Sequence, residues 1–109
     1  MASKLTLSGK DLQKAIIDLA HAKGWLVAHF QSVKTEQRGW VTPVSADGKG
    51  YPDLTLVRDR VVFMEIKGDG DRLRPDQDKW IAALQDAGAE VVVIHPNDWR
   101  NGLVDLILA

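Results

Sequence analysis

Asp53-Leu54-Thr55-Leu56-Val57, Arg58-Asp59-Arg60, Val61-Val62-Phe63-Met64-Glu65-Ile66-Lys67 is the most strongly patterned segment of this chain. Two apolar, β-branched runs flank three polar residues, which predicts a β-hairpin with a three-residue connection. Successive side chains in a strand alternate between faces. Val61, Phe63, Glu65 and Lys67 therefore share one face of the second strand. With that connection Val57 opposes Val61 and Asp53 opposes Glu65, and directly opposed Cβ atoms lie ~5 Å apart. A two-residue connection would make the acids a diagonal pair ~7–8 Å apart, still close enough to share an ion. Carboxylates so placed repel each other unless a cation sits between them. The plain alternative is a sheet-edge salt bridge between Lys67 and either acid.

Upstream of the hairpin, Lys10 to Lys23 carries Leu12, Ile16, Leu19 and Ala20 on one helical face. Ser8 is the expected N-cap with Asp11 as the acidic half of a capping box, and Gly24 is the expected stop. Trp25 to Phe30 reads as a strand. Val33 to Gly50 shows neither period and holds Gly39, Pro43, Gly48 and Gly50, so it is expected to be a loop of eighteen residues. Loops that long are usually functional or mobile.

Downstream, Gly68 to Arg74 is a polar loop. Pro75 suits the first position of a helix and Asp76 suits its dipole. Trp80, Ile81, Leu84 and Ala87 form the apolar stripe of that helix, and Gly88 ends it. The continuous apolar run Val91 to Ile94 predicts an interior strand. Pro96-Asn97-Asp98 opens a last helix with Trp99, Leu103, Leu106 and Ile107 on one face, across Gly102. The order is αβββαβα, an α/β fold with a mixed sheet, in one domain spanning 1–109.

Composition bounds the function. The chain has 109 residues, 45% of them hydrophobic and 27% charged, which is ordinary for a globular domain and excludes disordered or low-complexity classes. No apolar run approaches the ~18 residues of a membrane span, and the opening Met1 to Leu7 is too short and mixed for a signal peptide. The absence of cysteine excludes disulfides, a thiol nucleophile and cysteine-ligated zinc. These features read as a cytoplasmic protein. Fourteen Lys and Arg against fifteen Asp and Glu give a net charge of -1. Bulk charge therefore does not grip nucleic acid; any such contact must be local.

Oxygen ligands suit a hard cation such as Mg²⁺, which takes one or two carboxylates and completes its octahedron with water and substrate phosphate. Two acids and a lysine around such an ion form a constellation for phosphodiester hydrolysis. The three histidines match no zinc spacing; His29 heads toward the long loop, where it is either structural or near the site. No Gly-x-Ser-x-Gly elbow or P-loop is present.

Gly50-Tyr51-Pro52-Asp53, followed after eleven residues by Glu65-Ile66-Lys67, resembles the PD-(D/E)xK, restriction-endonuclease-like nuclease superfamily. That superfamily has an αβββαβ core. The continuation Lys67-Gly68, then Leu73-Arg74-Pro75-Asp76-Gln77 and Trp80, resembles its VRR-NUC branch, in which a loop and a Pro-x-Gln helix start follow the lysine. The resemblance runs from about Asp11 to Trp99. It implies that Asp53, Glu65 and the Ile66 carbonyl hold Mg²⁺, with Mn²⁺ able to substitute. Lys67 would contact the scissile phosphate and the attacking water, and Gln77 would position them. The implied activity is hydrolysis of DNA, branched or junction DNA in particular, by a homodimer.

Many members of the superfamily carry another acid on the first helix. Here the candidates are Asp11 and Gln13; Asp11 serves equally well as the cap, which leaves one metal or two. Gln77 lies three residues before Trp80 and four before Ile81, on the stripe facing the sheet. A polar group there needs a partner, from a helix-start hydrogen bond or from the site. Lys34, Arg38 and Lys49 in the long loop, with Arg72, Arg74 and Lys79, supply candidate phosphate contacts. Glu36, Asp47, Asp69 and Asp71 dilute this patch. Trp40 either packs the loop down or stacks on an unpaired base, while Trp25, Trp80 and Trp99 read as core. Leu103 to Ala109 is a last core helix or part of a dimer interface. Two rival readings share these residues: a non-catalytic nucleic-acid-binding or assembly module that kept the fold, and a nuclease for RNA or for unmodified invading DNA.

Overall fold

Helix α1 (Gly9–Ala22) starts where its cap was expected, with Ser8 Oγ accepting from the Asp11 N–H at 3.0 Å. Its Leu12, Ile16 and Ala20 are buried against the sheet. The structure, a computed structural model, describes residues 7–109; residues 1–6, on which the reading of the opening segment as unlike a signal peptide rests, lie outside that range.

Four strands form the main sheet in the order β1-β4-β5-β6. They are β1 (Leu26–His29), β4 (Leu54–Val57), β5 (Val61–Ile66) and β6 (Glu90–Ile94). β1 and β5 both run antiparallel to β4, and β6 runs parallel to β5. The sheet is therefore mixed, as the sequence predicts, and with α1 and α2 (Pro75–Asp86) it makes the αβββαβ, restriction-endonuclease-like arrangement. The β4–β5 register pairs Val57 with Val61 and Leu54 with Met64, the three-residue connection read from Arg58-Asp59-Arg60.

The two faces of this hairpin differ. Leu54, Leu56, Val62 and Met64 are fully buried in the core with α1, Trp25 and the C-terminal residues Val104 and Leu108. The opposite parity carries Thr55, Phe63 and Glu65. Trp25 is buried as expected; its indole donates to the Leu108 carbonyl at 3.0 Å, and the Arg58 and Arg60 guanidiniums lie 4.7 and 5.1 Å from its ring centroid. Arg60 also donates to the Ile107 carbonyl. The connection of the hairpin is thus tied to the C-terminal helix.

Three expectations are corrected. The segment Val33 to Gly50 is not all loop: β2 (Val33–Thr35) and β3 (Gly39–Val41) form a separate two-stranded antiparallel sheet. Three-residue strands that bury neither face leave no periodicity to detect. β6 is an edge strand rather than an interior one. Its apolar run reflects parallel pairing and the packing of α2 beside it, since parallel strands covered by helices are apolar on both faces. The last helix is two, α3 (Pro96–Arg100) and α4 (Leu103–Ile107), parted at Gly102 with φ +84°, a conformation side-chain-bearing residues avoid. In α4, Val104 is in the core, with Leu108 just beyond the helix also buried, while Leu103 and Leu106 are exposed, so this segment packs on the core and leaves two leucines in solvent. Among the described residues, no helix is long and apolar enough to cross a membrane.

Candidate active site

The register that buries Leu54 and Met64 also carries Asp53 to a position opposite Glu65, one step beyond the last pair of the β4–β5 ladder, Leu54 with Met64. Asp53 Oδ2 accepts from the Ile66 N–H at 2.7 Å, so the aspartate side chain extends the ladder past the end of the strand. The N–H and C=O of one strand residue point to the same neighbour. The Ile66 carbonyl therefore faces the Asp53 side, while the next residue turns the other way, with the Lys67 N–H donating to the Ile94 carbonyl at 2.8 Å.

Glu65, Lys67 and Gln77 are the buried polar residues beside this pair, exposed by only 1%, 7% and 6%. Gln77 links the other two. Its Nε2 donates to Glu65 Oε2 at 2.9 Å, and its Oε1 accepts from Lys67 Nζ at 2.7 Å. The same oxygen accepts from the Arg74 N–H at 2.9 Å. Gln77 thus makes a helix-start hydrogen bond and also contacts Glu65 and Lys67, the two kinds of partner the sequence left open. With two N–H donors on one side and a carboxylate on the other, its amide orientation is fixed by chemistry. Lys67 Nζ also lies 3.6 Å from Glu65 Oε2.

Glu65 is electrostatically uncomfortable. Burial, above all, and then the charge of Asp53 and a hydrogen bond with it push its carboxyl up to about 8 from an ordinary 4.5, and Lys67 offsets this only in part. Glu65 Oε1 is buried without a hydrogen-bond partner among the described residues. A proton between the two acids relieves the repulsion, and so would a cation. An orphaned oxygen, an opposed carboxylate and a carbonyl facing the same side form an all-oxygen donor set that fits a hard divalent ion. Among the described residues no group of three or more His, Asp or Glu gathers as ligands. Asp11 is not brought to the pair; it sits exposed in the first turn of α1.

The loop that delivers Asp53 depends on Gly50. At φ +88° its missing Cβ would stand 2.5 Å from the Asp76 carbonyl carbon and oxygen, so only glycine lets the chain pass over the start of α2. Tyr51 then packs edge-on against Phe30, Phe63 and Trp80, and its hydroxyl bonds Thr55 Oγ1 at 2.9 Å. Trp80 is half-buried in this cluster and donates to the Asp47 carbonyl at 2.9 Å. Sequence reasoning gave Tyr51 no role; its place directly before Pro52-Asp53 was the available signal. His29 Nδ1 lies 3.3 Å from the Asp53 carbonyl, so this histidine does approach the site, at its exposed rim.

A cavity of about 690 Å³ opens beside these residues. Asp53 and Gln77 line it, as do Arg38, Trp40, Lys49 and Arg74. Lys34 stands opposite Trp40 in the β2–β3 pair. Arg72 is exposed in the loop before α2 and does not line the cavity; Lys79 lines a separate cavity with Asp76 and Trp80. The structure thus brings four of the candidate phosphate- and base-contacting residues to the site.

The comparisons agree with this geometry. Residues 7–98 match the family model of the VRR-NUC domain. Over an alignment of 49 positions that covers 42% of its length, this chain is 45% identical to a protein of Caenorhabditis elegans described as a Fanconi-associated nuclease 1 homolog. That alignment spans 6% of the longer protein's length. With nearly the whole described chain inside one family model, this chain belongs to the VRR-NUC domain family.

Proposed function

We propose that this domain is a Mg²⁺-dependent nuclease that hydrolyses DNA phosphodiester bonds. The observation that carries the reading is the buried Glu65–Gln77–Lys67 linkage beside Asp53, with one glutamate oxygen left unpartnered. Burying an ammonium and a carboxylate beside a second, half-buried acid is expensive unless each is paired, and a salt bridge at a sheet edge would need neither the burial nor the second acid. Membership of the VRR-NUC family supports the same reading.

Asp53, Glu65 and the Ile66 carbonyl would hold the ion. Bound there, Mg²⁺ supplies electrostatic stabilisation of the charge developing on the phosphoryl group and makes water more acidic. The remaining work falls to the protein. An ammonium has three N–H donors; Lys67 gives one to Gln77 and directs a second toward Glu65. The third is available for a phosphate oxygen or the attacking water. Gln77 prevents the lysine from collapsing onto Glu65 and holds Nζ at a fixed place, which is the preorganisation that electrostatic catalysis needs. Burial strengthens each of these interactions relative to water.

Preference for branched DNA and pairing of two copies belong to the same proposal and rest on the family resemblance. The test is a cleavage assay with Mg²⁺ or Mn²⁺ on labelled single strand, duplex, flap and four-way junction, with Lys67→Ala alongside. Metal-dependent cutting by the wild type, reduced by about 10²–10³ in the folded variant, is the expected result. Cutting undiminished in Lys67→Ala would remove the mechanism. No cutting of any substrate, with no metal bound, would favour the non-catalytic binding module.

A further inference from the structure

The β2–β3 hairpin carries a tryptophan that the fold does not use. Trp40 is 71% exposed, although it lies within a strand and lines the same cavity as Asp53 and Gln77. The expectation that it packs its loop down is not met. The hairpin is closed without it: Ser32 Oγ and Thr42 Oγ1 lie 2.8 Å apart between its arms, and Thr35 Oγ1 accepts from the Arg38 N–H at 3.0 Å and donates to the Gly39 carbonyl at 3.2 Å. Exposing an indole of this size costs hydrophobic free energy with no return from packing.

The surroundings specify what would cover it. Lys34 is directly opposed to Trp40, and directly opposed residues share a face of the pair. Arg38, Lys49 and Arg74 line the cavity that Trp40 shares with Asp53 and Gln77. Among the described residues, Lys34, Arg38 and Lys49 form no ion pair. Two further aromatic residues line the cavity, Tyr51, which is enclosed edge-on by Phe30, Phe63 and Trp80, and Phe30, which is 60% exposed; the indole of Trp40 is the broadest and most exposed ring of the three. A flat aromatic surface beside unpaired cations matches one chemistry, a base stacked on the ring with its phosphates on the cations. A base inside a duplex has both faces covered by its neighbours, so only an unpaired base can take that place.

We propose that the β2–β3 hairpin is a binding site for a single-stranded segment of the DNA substrate, with Trp40 stacking on an unpaired base next to the phosphate held at Lys67. The proposal rests on the nuclease reading for the identity of that phosphate, but the binding itself does not. Substrate choice is then set at the hairpin by unpaired nucleotides, and the chemistry at β4–β5 stays indifferent to sequence.

The experiment is fluorescence anisotropy of a labelled twelve-nucleotide thymidine strand and of a blunt duplex of the same length, in EDTA so that no cleavage occurs. Wild type, Trp40→Ala and Trp40→Phe are compared. The expected result is that Trp40→Ala weakens single-strand binding on the order of tenfold and duplex binding by less than about twofold. Trp40→Phe, which keeps a stacking ring, restores most of the loss. No binding of the single strand by wild type, no loss in Trp40→Ala, an equal loss on both probes, or no rescue by phenylalanine would each overturn the proposal. Because the assay contains no metal, a domain that binds in this way but never cleaves would refute the nuclease reading and leave the hairpin assignment standing.

Discussion

The β4–β5 and β2–β3 hairpins are both antiparallel pairs, yet almost everything beyond the pairing differs. In β4–β5 one face is fully buried and the other ends in Asp53 and Glu65. In β2–β3 neither face is buried, each strand has three residues, and Trp40 stands in solvent. The first hairpin is held by the whole core; the second is held by its own turn and a few hydroxyl hydrogen bonds. Rigid placement suits groups that must act on a phosphate within tenths of an ångström, whereas an exposed arm suits groups that need only meet a substrate. On the proposed reading, the molecule separates chemistry from recognition along this line.

Substitutions in each hairpin test that division. The largest effect is on rate, at Lys67→Ala, where the loss of about 10²–10³ in cleavage should come with little change in thermal midpoint. Next is Leu56→Ala on the core face of β4, fully buried, with an expected cost of about 2–5 kcal/mol in denaturant unfolding. A cost below that range would mean the hairpin is less firmly held than its burial implies.

Glu65→Gln gives a smaller effect whose sign is informative. The folded carboxyl titrates near 8 and its ordinary value is 4.5. Between those values the native protein keeps a proton that the unfolded chain has released, so metal-free stability falls as pH rises through this window and levels off above it. Glu65→Gln should abolish the slope and raise stability at pH 8 by about 1–3 kcal/mol, while eliminating metal-dependent cleavage. A variant less stable than wild type at pH 8 would mean that the glutamate is comfortable where it sits. Smallest is Trp40→Ala, which should change stability by less than ~0.5 kcal/mol, because the indole is mostly in water; a larger loss in thermal unfolding would tie β2–β3 into the core.

The same contrast explains what could be read from the sequence. Two-residue alternation, a polar three-residue connection and an apolar face gave the β4–β5 register, and from the register came the opposition of Asp53 and Glu65. Gln77 was legible because a polar residue on a sheet-facing helical stripe demands a partner, although only the structure supplies two partners on one oxygen. β2–β3 was illegible because a strand that buries nothing leaves no pattern. β6 was misplaced because its apolar run comes from helical cover and parallel pairing, which look alike at an edge and in the interior. Asp11 was ambiguous for a local reason: an acid in the first helical turn is favoured by the helix dipole whether or not it also serves a site.

On the proposed reading, the opposed acids at the end of β4–β5 hold a divalent ion. Calorimetric titration of Mg²⁺ into the wild type and into Asp53→Asn at pH 8 tests it most directly. Saturable binding to the wild type, weakened at least about tenfold in the variant, is the predicted result. No saturable binding to the wild type, or equal affinity in the two proteins, would contradict the account.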